Sequence, residues 1–117
     1  EADHFPVYPG CEKLPAEEQQ QCFVDQLNKF ITTEFNKVVF EQLGLSGTQQ
    51  IDIFVYIDKQ GYPSALKVRD TFIELQAEAI RVLNKIPRMT PATKDNDPVS
   101  IVFPDVETPY QIIFELD

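Results

Sequence analysis

Apolar residues first recur at three- and four-residue steps along the chain: Phe23, Leu27, Phe30, Ile31, Phe35 and Val38. That period predicts an amphipathic helix. It starts near Pro15, since proline at a first helical position loses no hydrogen bond, and Glu17 and Glu18 suit the positive end of the helix dipole. It ends between Phe35 and Leu43, and Gly44, Ser46 and Gly47 close the region. At residues 51–58 the period changes to two. Ile51, Ile53, Val55 and Ile57 form one face of a predicted strand; Asp52, Phe54, Tyr56 and Asp58 form the other. Phe54 and Tyr56 hint at a second contact surface there. Residues 58–61 read as a hairpin turn, with Gly61 free to take a positive φ. The returning strand spans 63–69, with Pro63 at its start.

A second helix is predicted from Ile73 to Ile86, with Leu75, Ala79, Val82, Leu83 and Ile86 as its apolar stripe. Glu74 and Glu78 lie early, and Arg81 and Lys85 late, as the dipole favours. Pro87 stops it, and Pro87 to Asp97 reads as an irregular connection. Alternation returns at Val99–Phe103 and again from Tyr110 to Leu116, interrupted by FPDVETP at 103–109. This is one long strand bent at Pro104–Pro109 or two strands, and its prolines place it at a sheet edge. The element order is α-β-β-α-β. The expected fold is α+β: a small antiparallel three-stranded sheet with two helices packed on one face. Residues 1–14, with Pro6 and Pro9, are an extended N-terminal segment resembling the end of a linker. Residues 15–117 form the domain.

Composition narrows the function. The chain has 117 residues, 43% of them hydrophobic, with nine Phe and four Tyr, enough for a single core. Its formal net charge is −9, which opposes nucleic acid and anionic lipid. Residues 62–88 are locally basic, with Lys67, Arg69, Arg81, Lys85 and Arg88 against Asp70, Glu74 and Glu78. A plain solvated surface explains this most simply; Arg69, Arg81, Lys85 and Arg88 are the candidates for steering an acidic partner. No apolar run reaches the ~20 residues needed to cross a bilayer. The start at Glu1, without Met, is that of a processed protein or an excised domain.

Cys11 and Cys22 are the two cysteines, eleven residues apart around a Pro-Gly turn and a helix start. A disulfide is expected, worth about 2–3 kcal/mol from loop closure, and implies an oxidising compartment; two buried thiols are the alternative. No metal site is expected, because His4 is the single histidine and lies in a terminus read as frayed. No cofactor or catalytic residue is expected either. There is no Gly-rich phosphate loop, HExxH, CxxC or G-x-S-x-G. Asp52 and Asp58 share a strand face but stand roughly 20 Å apart, too far for a carboxylate pair of the glycosidase kind.

The ordered pieces PVYPGCE from Pro6, CF at 22–23, LNKFITTEF at 27–35, LGLSG at 43–47, IFVYIDKQGYPSALKV at 53–68, ELQAEAIRVLNKIPRMTPA at 74–92, DPVSIVF at 97–103 and YQIIFEL at 110–116 together resemble the C-terminal domain of TonB-like energy transducers of the Bacteroidota type. The resemblance covers nearly the whole chain. It implies a non-enzymatic periplasmic domain, anchored to the inner membrane by an upstream helix. Such a domain binds the TonB box of an outer-membrane TonB-dependent receptor, and an inner-membrane proton-channel complex powers import of siderophore, cobalamin or glycan. The family's partner adds as a strand at the edge of the final strand. Here that maps onto Val99, Ile101, Phe103, Tyr110, Gln111, Ile112, Ile113 and Phe114, with Ile112 and Phe114 the leading positions for pairing. The same fold serving as a periplasmic interaction or sensor domain is the alternative. An open edge also permits a sheet-to-sheet homodimer. The chain departs from the family pattern at PATKDNDPV and at FPDVETP.

Overall fold

The computed structural model describes residues 2–105 and 107–116; Glu1, Asp117 and Val106 (inside the expected interruption) lie outside the described residues. Helix α1 spans Ala16–Glu34 and α2 spans Val38–Gln42. Strands β1 (Thr48–Ile57) and β2 (Pro63–Arg69) precede helix α3 (Ile73–Leu83). Four strands follow: β3 (Ala92–Lys94), β4 (Asp97–Val99), β5 (Ile101–Phe103) and β6 (Tyr110–Glu115). The architecture is α+β, with helices packed against antiparallel sheets.

The expected three-stranded sheet is instead a four-stranded sheet, joined by a separate β3–β4 pair. In the main sheet β1 is central. β2 pairs with one side of it, and β5 and β6 share the other side end to end. β5 pairs Ile101–Phe103 with Ile57–Val55, and β6 pairs Tyr110–Glu115 with Ile53–Thr48. The two strands thus continue one line along β1, interrupted opposite Phe54 between Phe103 and Tyr110.

The core lies between β1 and the helices. Ile51, Ile53, Val55 and Ile57 are buried together with Phe23, Leu27 and Ile31 of α1 and with Leu75, Ala79, Val82, Leu83 and Ile86 of the α3 region. Burying each such large side chain stabilises the fold by about 1.5–3 kcal/mol. α3 ends at Leu83 rather than Ile86, because Lys85 and Ile86 close tighter turns onto the carbonyls of Val82 and Leu83 before Pro87.

The first helix is broken where its apolar stripe continues. Phe35 turns extended at ψ 130°, and Asn36 caps the next turn, its Oδ1 accepting the Val38 N–H at 3.2 Å. Val38, expected on the buried stripe, is therefore exposed; Phe40 is buried and stacks on Phe35 at 5.3 Å, with Phe114 against both rings.

The connection read as irregular between Pro87 and Asp97 contains a hairpin. Asp95 and Asn96 both have positive φ, 51° and 69°, as a tight two-residue turn requires. The N-terminal segment joins this hairpin. His4 pairs with Thr93 and Val7 with Thr90 through backbone hydrogen bonds, so His4 is held rather than frayed. Pro6, Tyr8 and Cys11 are buried, and Cys11 is bridged to Cys22 of α1 across a Cα–Cα distance of 6.1 Å.

Candidate functional site

The two outer edges of the main sheet differ in chemistry. Strand alternation decides which backbone groups each edge presents. Leu116 N–H donates to Gly47 O at 2.8 Å, one step beyond the Thr48–Glu115 pair. In an antiparallel ladder, bonded and non-bonded positions alternate. Phe114, Ile112 and Tyr110 therefore turn their N–H and C=O groups toward β1, while Glu115, Ile113 and Gln111 turn theirs outward. Carried along β1, the same alternation turns Ile101 and Phe103 inward and Val102 outward. Among the described residues, no strand pairs with this outer edge.

The β2 edge is occupied. Its outward Ala65 N–H donates to Asn84 Oδ1 at 3.0 Å, so the end of α3 caps it. A bulge at Leu66 shifts the register between Phe54 and Val55, and Pro63, Lys67 and Arg69 add the proline and charge that discourage pairing. α3 is in turn fixed to α1. Glu78 Oε2 accepts the Asn36 N–H at 2.8 Å, and Arg81 Nη2 donates to Glu34 O at 3.2 Å. The Arg81 hydrogen bond holds the Glu78 carboxyl below its ordinary range, with the Asn36 N–H acting in the same direction against the opposing effect of burial.

At the open edge, Phe103 and Tyr110 flank the break between β5 and β6. Their rings lie 5.5 Å apart, closing the gap on the helix side. Phe103 also meets Phe23 at 5.0 Å, and Phe23 meets Phe5 at 4.9 Å, so one aromatic row ties β5, α1 and the N-terminal segment together. Burial pushes the Tyr110 hydroxyl pKa up, and the Asp25 carboxylate adds to that shift. On the opposite sheet face, Phe54 is buried as well, at 9% exposed. The Arg69 guanidinium sits over its ring at 5.7 Å.

The residues expected at a docking edge are thus distributed unequally. Val99 is not on this edge; it belongs to β4 and pairs with Ala92, because the Asp95–Asn96 turn folds it back. The side chains of Phe103, Ile112 and Phe114 are core, and Ile101 and Tyr110 are half-buried against it. The backbones of Ile112 and Phe114 already serve the β1 ladder, so the outward positions fall to their neighbours. Gln111 and Ile113 are exposed and point their backbone outward; Glu115 shares this role and was passed over in the sequence, because the direction of its backbone follows from register with β1.

The four candidate steering cations are scattered. Arg69 lies over Phe54, Arg81 is engaged by Glu78 and Glu34, and Arg88 donates to Gln60 O at 2.8 Å and covers the Tyr62 ring. Lys85 stands exposed just past α3. Among the described residues, no group of three or more His, Cys, Asp or Glu is arranged to hold a metal ion, and no helix is long and apolar enough to cross a membrane. Comparison with protein-family models, with curated proteins and with solved structures finds no match to this chain.

Proposed function

We propose that this chain is a non-enzymatic, TonB-like periplasmic domain that takes up a short extended segment of an outer-membrane receptor as an added strand along β6. The resemblance in sequence supplies the family and the receptor. One structural observation carries the mechanism: Gln111, Ile113 and Glu115 present consecutive outward N–H and C=O groups with no pairing strand among the described residues. Unpaired backbone of this kind gives an extended peptide its affinity, and the alternating side chains give selection. Gln111 and Ile113 would meet every second side chain of the partner.

In this reading the α-β-β-α-β order of the family persists as α1, β1, β2, α3 and the interrupted β5–β6 line. The departures from the family pattern, PATKDNDPV and FPDVETP, fall at the β3–β4 hairpin and between β5 and β6. An upstream inner-membrane helix and the proton-channel complex belong to the same proposal. The test is an NMR titration of the labelled domain with receptor-segment peptides. Saturable shifts centred on 110–116 support the reading. Absence of shifts at millimolar peptide, with the domain folded and monomeric, contradicts it.

A further inference from the structure

Beside β5 the surface is concave. A groove of about 830 Å³ runs between Asp3 and Phe5 of the N-terminal segment, Gln20 of α1, Phe54 of β1, and Val102 and Asp105 on the β5 side. That volume is within the range of ligand clefts. We propose that this groove binds an extended peptide carrying a lysine or arginine side chain, at a site separate from the β6 edge.

Three features converge on that ligand. The outward backbone of Val102 offers one N–H and one C=O to a chain lying alongside it. Phe5 and Phe54 supply apolar walls that suit the methylene stem of a long cationic side chain. Among the described residues, Asp3 and Asp105 are the charged residues of the lining, which contains no lysine or arginine. The Asp3 carboxylate is positioned by the Asp95 N–H, donated to its Oδ2 at 2.8 Å. The neighbouring cation, Arg69, is engaged over Phe54 at 5.7 Å and is not part of the lining. An anionic segment would face two like charges in a protein of net charge −9. The wall is also held firmly: Phe5 packs on Phe23, which adjoins the bridged Cys22.

The experiment uses the intact, oxidised chain and two capped peptides of alternating valine and alanine, identical except for a central lysine or glutamate. The lysine peptide is expected to shift amides at Asp3, Phe5 and residues 100–105 and to bind at least about fivefold more tightly than its twin at low salt. Its affinity should fall as salt shortens the screening length from about 30 Å to about 3 Å. Asp105→Asn, on an exposed residue, should weaken the lysine peptide about two- to fivefold while leaving the glutamate peptide unchanged. Equal affinities, shifts elsewhere, or no shift at millimolar peptide would overturn the inference. If receptor-segment peptides still shift Gln111 and Ile113 in that event, the β6 reading survives and the groove alone fails. If neither peptide class shifts any amide, both readings fail.

Discussion

The two edges of one sheet have been treated in opposite ways. At β2, proline, charge, a bulge and the Asn84 side chain all act against further pairing. At β6, six residues run in regular register with β1 and leave every second backbone unit facing outward. Both strands are short and antiparallel to the same central strand, so topology does not account for the contrast. It arises from what lies beside each: α3 reaches β2, whereas α1 packs under the buried face of β6 and leaves its outer edge open. On the proposed reading, the edge left open while its counterpart is blocked is the surface that takes the added strand.

The largest expected effect breaks the blocked side. Gly61, in the β1–β2 turn, has φ +90°, and a Cβ there would lie 1.8 Å from Met89 O. Met89 N–H donates to Gly61 O at 2.9 Å. Gly61→Ala should destabilise the protein by about 3 kcal/mol, through backbone strain and loss of that hydrogen bond. Urea unfolding measures it, and an unchanged midpoint would contradict the account of this turn.

Next in size, Ile113→Pro removes an outward N–H without touching the β1 ladder. Receptor-segment affinity should drop about tenfold, while stability changes by less than about 1 kcal/mol. A large loss of stability in calorimetry would mean that Ile113 faces β1 instead. Asn84→Ala unblocks the other edge in the opposite sense. It should cost about 1 kcal/mol and speed hydrogen exchange at the Ala65 amide, yet create no peptide binding at β2, since the bulge and charges remain.

The smallest effect sharpens the role of α3 as a cover. The Glu78 carboxyl is held below its unfolded value by Arg81. A depressed folded pKa contributes stability that is fully present above the ordinary glutamate range and is lost as pH falls through the folded value. Wild type should therefore exceed Glu78→Gln in stability at pH 7, and the gap should shrink in acid below the ordinary glutamate pKa. A gap independent of pH would show that the carboxylate charge is not what matters.

Much of this contrast was legible in the chain before any coordinates. The five stripe residues Leu75, Ala79, Val82, Leu83 and Ile86 are all buried, and so is the Ile51, Ile53, Val55 and Ile57 face of β1, with Phe54 of the other face buried as well. Prolines near 104 and 109 correctly marked an edge. The failures have physical causes. The stripe through Phe35 and Val38 keeps helical spacing, so periodicity alone could not reveal that Asn36 would cap a new turn and that Glu78, forty-two residues away, would take its N–H. The Asp95–Asn96 turn was visible as a residue pair suited to positive φ, but the strands it joins have three residues each and carry almost no periodic signal. The direction of each backbone group on β6 was invisible, because it depends on register with β1 and not on side-chain type.

Hydrogen exchange across β6 tests the central claim most directly. Amides would be followed one by one, with and without a receptor-segment peptide. An added strand should slow exchange at Gln111 and Ile113, and leave Ile112 and Phe114, already bonded to β1, nearly unchanged. Protection that appears instead at Ala65 and Lys67, or equally at all β6 amides, would contradict strand addition at this edge.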